Sequence, residues 1–258
     1  MRTIIHAATA LLALVSAISA SPARAQDYPS RPIKIVVPFP PGGGIDLLVR
    51  AMAIELSGKW GHPIVIDNRG GASGNIGAEI VAKSAADGYT LLMVASGPIV
   101  INPGLYPKLG YDPLRDLTPI AFVAASPLML VVHPSVAANN LRELIALAKA
   151  KSGGLAYGTS GIGTSGHLAM ELFKRMAGVD MIHVPYKSMA PAMTDILGGQ
   201  VHMGMPTINV TVQHVRSGRL RVNPTTVVVW ATAFSAASSS SVAPASSSSK
   251  VFSSVEPI

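Results

Sequence analysis

Residues 157–175, YGTSGIGTSGHLAMELFKR, constrain the fold more than any other stretch. A short apolar strand runs into a loop of interleaved glycines and hydroxyls, and the loop runs into an amphipathic helix. The loop sets Gly158, Gly161, Gly163 and Gly166 among Thr159, Ser160, Thr164 and Ser165. Glycine lets the backbone turn its N–H groups inward, and at a helix start the free N–H groups and the dipole favour a carboxylate or phosphate. The embedded GIGTSG fits a dinucleotide fingerprint, which requires an acidic residue at the end of the next strand. That strand, MIHVPY, ends in Tyr186 and Lys187, so a nucleotide is not the expected ligand. A tight turn that merely needs glycine angles accounts for the loop equally well until a second site converges on it.

Strand, glycine loop and helix recur along the chain. IKIVV at 33–37, between Pro32 and Pro38, reads as a buried parallel strand. Phe39-Pro40-Pro41-Gly42-Gly43-Gly44 follows, then a helix carrying Leu47, Leu48, Met52, Ile54 and Leu56. Asp46 in its first turn is expected to cap the helix and order the loop in preference to touching an anion. A strand at 64–66 leads through NRGGASG at 68–74 into a helix over 76–83, and TLLMVA at 90–95 leads into Ser96-Gly97-Pro98. In open α/β sheets ligands sit at the carboxyl ends of the strands. The repetition predicts a doubly wound domain with one rim rich in backbone donors. Residues 103–119 read as a proline-rich surface connection, and 120–132 as two apolar stretches broken at Ser126-Pro127 that leave one domain and enter another. A helix at 141–150, a strand at 155–157, a strand at 181–186 and a helix at 190–197 stopped by Gly198-Gly199 complete a second α/β unit.

Composition narrows the partners. Arg2, the apolar run after it and Ala23-Arg24-Ala25 form a secretory signal over residues 1–25, with cleavage after Ala25. The apolar run is shorter than the roughly 20 residues of a spanning helix. Cysteine is absent, which removes disulfides, thiolate catalysis and cysteine metal sites. The net charge of +7 falls to +5 once Arg2 and Arg24 leave, and the basic residues are scattered with few aromatics, so no nucleic-acid stripe is expected. A mild positive balance suits small acidic ligands.

Four stretches, YPSRPIKIVVPFPPGGGID, NRGGASGNIGAEIVAKSAADGYTLLM, YGTSGIGTSGHLAMELF and VPYKSMAPAMTDILGGQV, in that order after a signal segment, resemble the Bug (TctC-like) family of periplasmic receptors of tripartite tricarboxylate transporters. The resemblance covers about residues 28–221. It implies a type II periplasmic-binding-protein fold of two α/β lobes that grip a ligand carboxylate, largely through backbone amides, hydroxyls and water. Carried over by motif, the contacts fall to Phe39, Pro40, Gly42 and Gly43 on one side and to Thr159, Ser160, Gly161, Gly163 and Thr164 on the other. Asp46, Ser96, His167, Tyr186 and Asp195 join them as candidate ligand-binding residues. His167 competes as a structural hydrogen-bonding residue, Tyr186 as a packing residue beside the hinge, and Asp195 as a solvated or capping acid against contact with a ligand amino group. Ser188 stands where the family usually has glycine, which puts the local loop geometry in question.

The implied protein is a monomeric receptor for a small organic carboxylate or amino acid. Its partners would be the transporter's membrane subunits, with no cofactor, no metal and no turnover. Its lobes would span 26–121 and 122–221, with hinge strands near 120–125 and from Arg219 onward. The histidines lack HExxH spacing. A hydrolase using Ser160 or Ser165 with His183 is the alternative from another class, although neither serine stands in G-x-S-x-G. A ligand-sensing accessory of a membrane signalling protein would use the same pocket. After Arg221 the only charged residues are Lys250 and Glu256, and serine clusters at 238–241 and 246–249. Residues 222–258 are therefore expected to be an aberrant, disordered tail, with at most one stray strand at 225–230, from a reading-frame error or an equivalent truncation that leaves the first lobe incomplete, against the alternative of a natural serine-rich tail.

Overall fold

The computed structural model describes residues 27–222 and, as a backbone path, 229–238. The chain divides into Met1–Ser30 and Arg31–Ile258. Of the first unit only residues 27–30 are described, so the expected signal segment and its cleavage point lie outside the described residues.

In the second unit, β1 (Ile33–Val37), α1 (Gly44–Trp60), β2 (Ile64–Asn68), α2 (Asn75–Ala82), β3 (Thr90–Ala95), a short α3 (Asn102–Leu105) and β4 (Leu117–Leu128) build the first lobe. Strand alternation divides its core between two faces of one sheet. Ile33, Ile35, Val37 and Met93 pack with Val49 of α1, whereas Val36, Leu92 and Val94 pack with Ala78 and Val81 of α2. Helices cover both faces, as the buried β-branched runs require. The connection expected at 103–119 is shorter than it reads, because α3 occupies its start and β4 its end.

The second lobe comprises β5 (Val131–Val132), α4 (Leu141–Ala150), β6 (Ala156–Thr159), α5 (Ser165–Ala177), β7 (Ile182–Pro185), α6 (Met189–Leu197), β8 (Met203–Gly204), α7 (Ile208–Arg216) and β9 (Arg221–Val222). Leu144, Tyr157, Met170, Phe173 and Met203 fill one face of its sheet. Val131, Met193, Ile196, Val201 and Leu220 fill the other.

The two sheets share one topology. The first runs β2-β1-β3-β10-β4 and the second β7-β6-β8-β5-β9. In each, a single antiparallel strand sits between the third and the outermost strand: β10 (Val229–Ser238) between β3 and β4, and β5 between β8 and β9. β5 follows directly on β4 of the other lobe, and β10 is the next strand after β9, so each lobe receives its antiparallel strand from the other.

Three expectations change. The chain crosses at Met129-Leu130 and not at Ser126-Pro127, since β4 runs unbroken to Leu128 and its end is tied to the second lobe by the Met129 N–H donating to Pro206 O at 2.9 Å. The expected boundary at 121/122 therefore falls inside a first-sheet strand. Residues 222–258 are not without regular structure throughout, because Val229–Ser238 is a ten-residue strand. Composition argued against a packed core there, but the slot between β3 and β4 selects by backbone hydrogen bonding, and 229–238 contains no proline to interrupt the ladder. The connection 223–228 and residues 239–258 lie outside the described residues.

Candidate functional site

The first loop leaves β1 at Val37 and enters α1 through Gly43, whose helix start carries no side-chain cap. Asp46 is buried at 2% exposure. Its Oδ2 accepts from the Gly42 N–H at 3.0 Å and from Arg50 Nε at 2.9 Å, and its Oδ1 accepts from Asn68 Nδ2 at 3.0 Å. Asn68 Nδ2 also donates to Phe39 O at 3.0 Å. Burial alone would raise the Asp46 pKa, but the hydrogen bonds from Arg50, Gly42 and Asn68 together with the Arg50 charge hold it below the usual carboxylate value. The acid thus ties the loop to β2, with both of its oxygens engaged.

The second loop is built by its own hydroxyls. Thr159 is fully buried, and its Oγ1 accepts from the Gly161 N–H at 3.2 Å while lying 2.7 Å from His183 Nε2. Thr164 Oγ1 donates to Gly161 O at 2.7 Å and leaves the start of α5 without a side-chain cap. Gly163 N–H donates to His167 Nδ1 at 3.3 Å. Gly161 and Gly163 have φ of 118° and 84°, which side chains rarely adopt, and a Cβ on Gly161 would come within 2.9 Å of Ser73 Oγ. Both the angle and the cross-lobe approach require glycine here.

Between the lobes lies a cavity of about 140 Å³. Four helices begin on it, α1 from the first lobe and α5, α6 and α7 from the second, at Gly43, Thr164, Ser188 and Thr207. None of these four starts has a side-chain cap. Away from the cavity the start of α4 is capped by Asn140 Oδ1 accepting from the Glu143 N–H at 2.9 Å, whereas α2 and α3 also start without a side-chain cap. Uncapped starts leave N–H donors free and put the positive ends of four dipoles around one space. The lobes meet across it: Ser96 Oγ lies 3.0 Å from Ser165 Oγ, Asn209 Nδ2 donates to Gly44 O at 3.2 Å, and Tyr106 Oη donates to Ile162 O at 3.4 Å.

Of the residues the sequence singled out, Phe39, Gly43, Asp46, Ser160 and Thr164 line the cavity. Pro40, Gly42, Ser96, Thr159, Gly161, Gly163 and His167 stand behind it in the two loops and the lobe junction. Tyr186 and Asp195 lie off it and bond to each other, the phenol donating to Asp195 Oδ2 at 2.6 Å. Sequence reading missed the starts of α6 and α7. Ser188 and Thr207, each directly before a helix, were the available signal. Ser188 has an extended φ of −158°, so serine at that position imposes no left-handed strain.

A family model described as "Tripartite tricarboxylate transporter family receptor" (TctC) matches residues 48–253, most of the chain and well past Arg221, where the motif resemblance was expected to stop. The chain is a member of the TctC receptor family. It is 42% identical to BugT of Bordetella pertussis over 203 residues, 78% of this chain and 62% of that protein. The chain thus spans about three fifths of the length of the curated relatives it matches first. Among solved structures it resembles the Rhodopseudomonas palustris protein Rpa4515 with adipate, at 35% identity and a TM-score of 0.78 over 82% of this chain and 78% of that one. It likewise resembles MatC from the same organism with bound malate, at 27% identity and a TM-score of 0.76 over 82% and 79%. The two-lobed Bug/TctC periplasmic-binding fold is therefore the fold of this chain.

Behind the second loop of this TctC-family chain, Tyr157, His183 and His167 stack in series, with ring centroids 4.9 and 4.4 Å apart. Tyr157 donates its hydroxyl to Glu171, which also accepts from Lys174 Nζ at 3.1 Å. Because the Gly163 N–H can only donate, His167 Nδ1 is unprotonated. Burial and then the nearby His167 push the His183 pKa down from 6.5 to about 4, and burial pushes His167 down as well. A depressed folded pKa contributes stability that is complete above the unfolded value and lost as pH falls. Melting temperature should accordingly drop between pH 6.5 and about 4, and His183→Gln should flatten that part of the profile; an unchanged slope would contradict it. Gly163→Val should lower the melting temperature more than Ser160→Ala, because a Cβ at Gly163 would collide with the Asn102 side chain at a φ of 84°; equal losses would contradict it.

Proposed function

We propose that this chain is a periplasmic solute-binding receptor that captures a small organic carboxylate between its lobes and delivers it to the membrane subunits of a tripartite tricarboxylate transporter, without chemical turnover. The observation that carries the reading is the convergence of four uncapped helix starts, contributed by both lobes, on one cavity. Free N–H groups at helix ends suit a carboxylate and cannot break a bond in it. The solved relatives that carry adipate and malate support the ligand class. Export is supported by the family's periplasmic members and by the signal-like segment at 1–25, with Ala25 as the proposed cleavage residue. Membership in a transporter receptor family supports the membrane partner.

Phe39, Gly43, Ser160 and Thr164 are proposed to surround the ligand directly, and Asp46, Thr159, Gly161, Gly163 and His167 to hold the loops that do so. The hydrolase alternative gains nothing from the geometry, since Ser165 meets Ser96 and His183 Nε2 meets Thr159 in place of a serine nucleophile. Ligand that binds only the folded state raises the melting temperature. A thermal-shift screen of the folded protein against mono-, di- and tricarboxylates should therefore give a concentration-dependent rise for at least one. A flat response across the whole panel would count decisively against a carboxylate receptor.

A further inference from the structure

The positive charge of this chain is concentrated in its second lobe. Residues 27–128 hold eight Lys or Arg against eight Asp or Glu, whereas residues 129–222 hold nine against four. In the first lobe Arg31, Arg50, Arg69 and Lys83 are each paired with an acid. Among the described residues of the second lobe Lys174 alone is, through Glu171 at 3.1 Å.

Much of the excess gathers on one face. α4 and α5 cover the same side of the second sheet, their Leu144, Ala148, Met170 and Phe173 meeting in one core. Their C-terminal ends lie together, since the Gly153 N–H after α4 donates to Asp180 O after α5 at 3.3 Å. Arg142 and Lys149 of α4, Lys151 just after it and Arg175 of α5 are exposed, and none is ion-paired among the described residues. Cations near helix C-terminal ends offset the dipole, which accounts for their positions but not for what stands beside them. On the outer surface of α5, Leu168, Leu172 and Met176 form an apolar stripe with exposures of 39%, 51% and 77%. One turn separates each from the next, over about 12 Å of helix. Acids on this face are few or engaged: Glu143 accepts from the Asn139 N–H and Asn140 Nδ2, and Glu171 from Tyr157 and Lys174, which leaves Asp180.

An apolar stripe among exposed cations suits an anionic bilayer, where apolar tips enter the headgroup boundary and the cations meet lipid phosphates. Long side chains spread over two helices fit a fluid surface, whereas a protein partner would need acids at matching fixed positions. We infer that the α4–α5 face of the second lobe docks on an anionic phospholipid surface. The stripe is most exposed at the end of α5 opposite the cavity, so docking there leaves the cavity open. The inference is independent of which ligand the cavity takes.

The test is co-sedimentation of the chain from Gln26 onward, which omits the apolar N-terminal run, with phosphatidylcholine vesicles or vesicles of equimolar phosphatidylcholine and phosphatidylglycerol. Binding should be at least tenfold tighter to the anionic vesicles. It should fall at least tenfold when salt rises from about 0.1 M to about 1 M, which shortens the screening length from about 10 Å to about 3 Å. Lys149→Glu with Lys151→Glu, and separately Leu172→Ser with Met176→Ser, should each weaken binding at least tenfold while the protein still melts cooperatively. Lys59→Glu, a charge reversal on the first lobe, should leave it unchanged. Equal binding to both vesicle types, or binding that ignores both double substitutions in folded protein, would overturn the inference. No binding to the anionic vesicles would overturn it as well, and capture by polyglutamate would then assign the face to an acidic protein.

Discussion

An α-helix begins with backbone N–H groups that have no partner within the helix, and a protein must give them one or leave them open. Along this chain the choice differs from place to place. Asn140 closes the start of α4 with its side chain. At Thr164 the hydroxyl that could have capped α5 turns back to Gly161 O, and at Thr207 the hydroxyl turns to Asn209 Oδ1 at 2.6 Å. Both threonines are good capping residues by type. Their diversion into the loops leaves the helix ends facing the cavity, which makes that space electropositive without a basic side chain.

Keeping four such ends aimed at one space requires two sheets that present their carboxyl edges to each other. The exchanged antiparallel strands supply that constraint. β5 enters the second sheet straight from β4 of the first, and β10 enters the first sheet as the next strand after β9. With the connection at Met129-Leu130 only two residues long, rotation about this junction is confined to few backbone angles, the usual design of a hinge. Among the described residues three side-chain hydrogen bonds cross between the lobes, and two of them pair a side chain with a backbone carbonyl. Bonds of this kind are readily exchanged with water.

Local patterning made most of this fold legible. β1, β3 and α4 stand where apolar runs and helical spacing put them, because each is both locally favoured and buried. The glycine loops were equally plain, since few other residues can adopt φ of 118° or 84°. Strands of two residues, β5, β8 and β9, carry no periodicity to read and exist only through their ladder partners. β10 was hidden for the opposite reason: its serine and alanine content suggests disorder, and only a vacant slot between β3 and β4 gives it structure. Roles within the site followed the same division. Residue type marked Thr159 and His167 as site residues, and the geometry bonds their polar atoms to the loop, while Ser188, noted only as a departure from glycine, and the unremarked Thr207 stand at cavity-facing helix starts.

Asp46 illustrates why residue type alone misleads at such a site. A carboxylate in the first turn of a helix is ordinarily favourable to that helix, yet beside an anion pocket the same charge would oppose the ligand. Here Arg50, one turn later and half exposed, pairs with it at 2.9 Å, so the pair adds little net charge to the cavity. The remaining bonds from Gly42 and Asn68 draw Phe39 and the glycines into a fixed path. The acid therefore supplies order to the loop while its charge is largely offset by Arg50, and the dipole of α1 remains available to an anion in the cavity.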